Sequence, residues 1–353
     1  MTPSRWRHRD LVNDLRGLDP TRLAGVLDFS YQHYALGDVL TSQVTQSCQA
    51  IERGCAAVDC YVFLDPERPA ARVQRNIIPE NYSTHLDNLL PALLCAPMLG
   101  SVRVLRDRLS VGFTLAALAA SRVPTWPSLR DQLRRRMPYP LGHEAINRFH
   151  AGHGYIPTLS SPRGYGGWAR RFVAQHLGDR FLVSVNLRQS GLTPTPVTVY
   201  RDAPLADWYE LFRTVSRTHP HVRFLVLGGF GEWEHGLLRH ENVLVPRAMG
   251  LTLAHELALL HHSRMFMGSS SGFATMATFG TRPYVITSLE HYFAAHAGVE
   301  SDAECYPFAA PDQYLVWQRE DAALLLKYFE RLYQACRSQD SPEASGRQVC
   351  ADA

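Results

Sequence analysis

The stretch from Ser263 to Ile286, SRMFMGSSSGFATMATFGTRPYVI, reads as one strand–loop–helix–strand unit. Met265-Phe266-Met267 is the apolar run of a buried strand. Gly268 to Gly272 form a small-residue loop, and Phe273 to Phe279 a helix that Gly280 ends. Pro283 forbids its continuation, and Tyr284-Val285-Ile286 reads as the next strand. Exposed N–H groups at such a helix start favour an anion such as phosphate, and the serines add hydroxyl donors. The same residues also suit a tight turn that binds nothing.

Outward from this unit the pattern repeats. Upstream, Phe181 to Leu187 and Val222 to Leu227 read as strands, the second ended by Gly228-Gly229-Phe230-Gly231. Between them Ala206 to Arg217 is an amphipathic helix with Trp208, Leu211 and Phe212 on its apolar side. Asn242 to Val245 is a short strand, and Leu253 to His262 a helix. In the first half, Leu27 to Tyr31 suggests a strand, Tyr34 to Asp38 a loop, Val39 to Ala56 a helix and Val58 to Leu64 a strand. Val111 to Ser121 reads as a further helix, while His143 to Trp168 is aperiodic and reads as loops at a domain junction. Strands alternating with helices imply an α/β chain with two parallel sheets. The expected division is a first domain over 1–170 and a second over 178–320, with the boundary near 165–178. The amphipathic helix 321–337 is expected to pack back on the first domain, and 338–353 to be a disordered tail.

At 353 residues the chain has room for two domains, and 46% hydrophobic with 20% charged residues is ordinary for a soluble globular protein. A net charge of +3 gives no global pull toward nucleic acid. The run Arg134-Arg135-Arg136 suits a solvated helix face, and could also attract an anionic acceptor or a membrane surface. Seven cysteines without a C-x-x-C pair suit reduced thiols in a cytoplasmic protein, and the N-terminus lacks the apolar core of a signal peptide. No Walker-type loop, dinucleotide fingerprint or Gly-x-Ser-x-Gly elbow occurs, which argues against kinases, dehydrogenases and α/β-hydrolases. The lack of an Asp-x-Asp argues against a metal-held diphosphate.

What remains is a set of strand-end loops, where open α/β sheets bind ligands. They hold Gly37 and Asp38 in the first half, and Asn186, Arg188, Gly228, Gly229, Ser269, Ser270, Ser271 and Gly272 in the second. Arg188 has the planar fork that suits a leaving diphosphate, with a surface ion pair as the plainer alternative. Arg201 stands just before the tryptophan-bearing helix and could join it, or serve only at the helix start.

Ser184-Val185-Asn186-Leu187-Arg188, then Arg201-Asp202-Ala203-Pro204 and Trp208, resemble the nucleotide-sugar domain of GT-B glycosyltransferases of the bacterial surface-carbohydrate, fucosyltransferase-like kind. Gly268 to Gly272 with Gly280-Thr281-Arg282-Pro283 is similar to the donor loop and helix of heptosyltransferase-like proteins, as is Leu36-Gly37-Asp38-Val39-Leu40 to their loop bearing an acidic base. The resemblance implies a GT-B fold, two Rossmann-like domains facing each other across a cleft. It implies a cytoplasmic, metal-independent and inverting transferase of hexosyl or fucosyl type, without a cofactor. Its partners would be a nucleotide-diphosphate sugar donor and a glycan or glycolipid acceptor, with no nucleic acid and at most peripheral membrane contact. Asp38 or His33 would be the base, Arg188 the diphosphate ligand, and Glu232 or Trp233 a contact to base or ribose. Two other readings share the fold: a nucleotide-sugar 2-epimerase, and a non-catalytic relative that binds glycan or nucleotide.

Overall fold

The computed structural model describes residues 18–29, 35–64, 86, 89–134, 142–189, 200–229 and 233–339. It divides into two compact units, Met1–Phe149 and His150–Ala353. The division precedes the 165–178 junction expected from sequence, because the residues read as loops carry helices. Glu144–His153 is one helix, and Gly166–His176 is another that packs on Leu253–His262 of the second unit.

The first unit holds β1 (Leu23–Asp28), α1 (Leu36–Glu52), β2 (Val58–Phe63), β3 (Leu99–Leu105), α2 (Arg108–Ala120), β4 (Thr125–Trp126) and α3 (Leu129–Leu133). Pro91 stands in the first turn of a 3-10 helix, Leu90–Cys95, where its missing N–H leaves no bond unmade. The four strands are parallel in the order β3-β2-β1-β4. α2 and Leu129 of α3 pack with Ala24, Val26, Tyr61 and Phe63. Ala50 of α1 packs in a separate cluster with Leu23, Cys55 and Val58. β1 begins at Leu23, earlier than the Leu27 start expected, since Leu23 to Leu27 are all buried.

The boundary falls inside α4 (Glu144–His153), and in the second unit the further elements are α5 (Gly166–His176), β5 (Phe181–Asn186), α6 (Leu205–Thr218), β6 (Val222–Leu227), β7 (Val243–Leu244), α7 (Leu253–His262), β8 (Met265–Ser269), α8 (Gly272–Thr278), β9 (Tyr284–Thr287), α9 (His291–Ala297), β10 (Gln313–Leu315) and α10 (Ala322–Gln339). Six parallel strands run in the order β10-β9-β8-β5-β6-β7. The chain therefore builds outward from β5 through β6 and β7, then returns to add β8, β9 and β10 on its other side. That reversal between β5 and β8 is the doubly wound arrangement.

α10 corrects an expectation. Its apolar stripe, Leu325, Phe329, Leu332, Tyr333 and Cys336, lies in the core of the second unit with Phe181, Trp208, Phe212 and Phe224. It packs beside α6 and β8. The helix runs to Gln339, and the rest of the expected disordered tail lies outside the described residues.

Candidate functional site

Ligands of open α/β sheets sit outside the carboxyl ends of the strands, where the winding reverses. In the second unit that point lies between β5 and β8, which end in Asn186 and Ser269. Asn186 is buried and its Nδ2 donates to the carbonyl of Leu227 at 2.7 Å, tying the ends of β5 and β6 together. Arg188 lies two residues beyond β5, and its Nη1 meets Oδ1 of Asp202 at 3.1 Å. Ala203 N–H donates to Arg188 O at 2.9 Å, and Gln189 Nε2 to Ala203 O at 3.1 Å. These bonds lay residues 201–203 along the end of β5.

The same segment is stapled to β8. Ser269 Oγ donates to Arg201 O at 2.7 Å, and Arg201 Nη1 approaches Ser270 O at 3.4 Å. Arg201 Nε is enclosed and has no hydrogen-bond partner among the described residues. Arg188, Arg201 and Ser270 are thus brought to one edge. Ser269 is fully buried with its hydroxyl already committed, so it holds the loop where the sequence reading had it hold a ligand. Ser271 caps α8, accepting from Ala274 N–H at 3.2 Å, and Gly272 is the first helical residue. α8 spans only seven residues, so it supplies a short dipole. Gly268 is glycine because of the sheet: a Cβ there would stand 2.8 Å from Asn186 O.

A buried pair supports the neighbouring strand end. Glu256 on α7 accepts from Arg247 Nε at 2.7 Å and from Gly228 N–H at 3.1 Å, with side chains 0% and 7% exposed for Glu256 and Arg247. The carboxylate thereby fixes the backbone just past β6, where Gly228 and Gly229 lie. Glu320 plays a similar part past β9. It accepts from Trp208 Nε1 at 2.8 Å and from the Thr287 hydroxyl, while its own N–H meets Ser288 Oγ. Burial nevertheless pushes its carboxyl up to about 7. Neither glutamate was found by the sequence reading. The available signal for Glu256 was a lone carboxylate inside the apolar run Leu253 to Leu260.

In the first unit the winding reverses between β1 and β4, and α1 follows β1 directly. Gly37 and Asp38 belong to the first turn of α1, not to a preceding loop. The reason is local: Asp38 Oδ2 accepts from Ala35 N–H at 2.7 Å, closing the start of the helix. Asp38 is buried, and that burial raises its carboxyl to about 6 against the pull of the Ala35 bond. A carboxyl at that value is ionised at neutral pH yet basic enough to take a proton. His33, the other base considered, and Glu232 lie outside the described residues. Trp233 is described, with its indole N–H enclosed and without a partner among the described residues.

Two units, each a parallel sheet wound outward from its first strand, define the GT-B type of α/β fold. No protein-family model matches the chain, and no curated protein matches it by sequence. Solved structures do match. A glycosyl transferase of family 9 from Veillonella parvula aligns with a TM-score of 0.51 at 10% identity, over 89% of this chain and 92% of that one. The E. coli ADP-heptose LPS heptosyltransferase II aligns with a TM-score of 0.51 at 11% identity, over 91% and 99%. The likeness is one of fold, and it extends over both units.

Proposed function

We propose that this chain is a glycosyltransferase that moves a sugar from a nucleotide-diphosphate sugar to a hydroxyl of a glycan or glycolipid, without a metal and with inversion. The observation that carries the reading is the pair of arginines at the β5–β8 reversal. Arg188 is oriented by Asp202, and Arg201 keeps an enclosed Nε beside Ser270 that has no partner among the described residues. Guanidinium forks gathered at a doubly wound switch point suit a diphosphate. Arg188 and Arg201 would take the charge that builds on the leaving diphosphate, the part a divalent cation plays in other transferases. Ser270 and Ser271 would line its ribose or phosphate. The two similar structures, a family 9 glycosyl transferase and a heptosyltransferase, support the class.

In the reaction the acceptor oxygen attacks the anomeric carbon, the bond to the diphosphate breaks, and Asp38 takes the acceptor proton. Direct displacement inverts the anomeric centre. A hexosyl or fucosyl donor is the finer part of the proposal. Arg188→Ala tests the phosphate role by calorimetry. Loss of charged hydrogen bonds worth about 1.5–3 kcal/mol predicts roughly 10- to 150-fold weaker nucleoside diphosphate binding. Nucleoside binding should be unchanged, and equal losses for the two ligands would refute the assignment.

A further inference from the structure

β8 and β9 leave the second sheet side by side. Their register pairs Ser269 with Thr287, so Ser270 and Ser288 pass out of it at the same edge. Beyond β9 the chain turns sharply: Ser288 is buried with φ 52°, in the left-handed region where a side chain is strained. The turn is held by the chain that follows β10. Ser288 N–H donates to Gln318 O at 3.1 Å, Leu289 N–H to Val316 O at 3.4 Å, and Glu320 N–H to Ser288 Oγ at 3.3 Å. Strain of this kind persists only where the surroundings impose it, and it gathers at ligand clamps and active sites.

The residue this turn delivers is Glu290, at the N-cap of α9. An acidic N-cap side chain ordinarily accepts from N–H groups of the first turn, and this one makes no such bond. Its Oε1 is enclosed and has no hydrogen-bond partner among the described residues. Enclosing an acceptor without a donor costs stability, and more so for a charged group. The turn thus holds a carboxylate close to the edge where Ser270 meets Arg201, in a position that weakens the fold unless a ligand supplies the donor.

We infer that Glu290 is a specificity-determining residue that accepts hydrogen bonds from sugar hydroxyls of the donor, a role that rests on the β5–β8 edge being a diphosphate site. An ionised carboxylate only accepts, so its partner is a group carrying O–H or N–H. The same charge turns away the phosphates, which go to Arg188 and Arg201. Attached directly to the diphosphate are the ribose on one side and the transferred sugar on the other, and both present hydroxyls. The base stands beyond the ribose. A site built to pair with a hydroxyl rejects an analogue lacking it, because the enclosed acceptor is then left alone. Glu290 would in this way select the sugar as well as hold it.

The test is calorimetry of the full chain with UDP-glucose, ADP-glucose and GDP-fucose, beside UDP, ADP and GDP and the dideoxyribose forms of those diphosphates. Glu290→Ala should weaken binding of the nucleotide sugar about 10- to 150-fold, the worth of a hydrogen bond to a charged group. Glu290→Gln keeps the shape and one oxygen without the charge, so it should weaken binding by a smaller factor and keeps the question open should the alanine variant not fold. A loss seen with the nucleotide sugar alone identifies the transferred sugar as the partner. A loss shared by the diphosphate and absent from its dideoxy form identifies the ribose. Neither variant should lower the melting temperature of the ligand-free chain, since each removes an enclosed charge. Unchanged affinity for every ligand would overturn the inference, the more so with a lowered melting temperature, which would make Glu290 a structural residue. Equal losses for a diphosphate and its dideoxy form would also overturn it, because base or phosphate would then be the contact. A wild-type chain that binds none of the diphosphates would refute the diphosphate reading itself, and this inference with it.

Discussion

Replacing Asp38 with asparagine should make the protein more stable and the enzyme inactive, with both effects governed by one ionisation. The carboxyl moves from an ordinary 3.8 to about 6 on folding, chiefly through burial. A folded-state value above the unfolded one means that the native state binds the proton more tightly. The resulting stabilisation is complete below pH 3.8 and is lost as pH rises through about 6. Above that window the buried carboxylate costs ~3 kcal/mol, at 1.36 kcal/mol for each pH unit between the two values. Asn is uncharged and keeps an oxygen to accept the Ala35 N–H. Urea unfolding of wild type and Asp38→Asn should therefore coincide near pH 4, diverge up to about pH 6, and stay ~3 kcal/mol apart at pH 8. In transfer assays the variant should lose about 10²–10⁴-fold in rate, the usual worth of a general base. The wild-type rate should fall on the acid side of about pH 6. Parallel stability curves across the range would refute the burial argument. Transfer at the wild-type rate would refute the base assignment independently.

Other substitutions probe the supports of the two strand edges. Glu256→Ala leaves Arg247 buried without its carboxylate and Gly228 N–H without its acceptor, so a loss of about 3–5 kcal/mol is expected in chemical denaturation. A loss under about 1 kcal/mol would mean that the pair is not the anchor described. Gln46 on α1 has both amide atoms enclosed without a partner among the described residues, its Oε1 lying 2.2 Å from where a Cβ on Gly25 would stand. Gln46→Met keeps the length and removes the unsatisfied groups, so it should stabilise by about 1–3 kcal/mol in the same assay. Destabilisation would show that the amide is satisfied in solution.

The elements legible in the sequence are those with strong local punctuation. α7 matches its reading from Leu253 to His262, and β6 its reading from Val222 to Leu227, because apolar runs there end in Ser or Gly. β10 gave no such signal. Gln313–Leu315 is three residues long and is held from outside, by pairing with β9 and by Gln313 Nε2 donating to the carbonyls of Gly280 and Arg282. The apolar stripe of α10 was legible, but a stripe does not say which sheet it covers. The site divides in the same way. Arg188 shows itself as a charge at a strand end, whereas Ser269 spends its hydroxyl on Arg201, 68 residues earlier in the chain. Glu256 and Arg247 are recognisable as a support only once Gly228 is seen against them.

The docking of α10 bears on how the protein is made. Its side chains close the core around Phe181, Trp208 and Phe224, and Glu320 just ahead of it supplies the acceptor for the Trp208 indole. On the ribosome, β5 to β10 therefore emerge with that apolar surface uncovered until α10 clears the exit tunnel. The first unit, which extends to Phe149, is complete well before then. Folding during synthesis is expected in two separated steps, the second delayed until α10 has emerged. Chains stalled after residue 320 should be protease-resistant in the first unit and sensitive in the second.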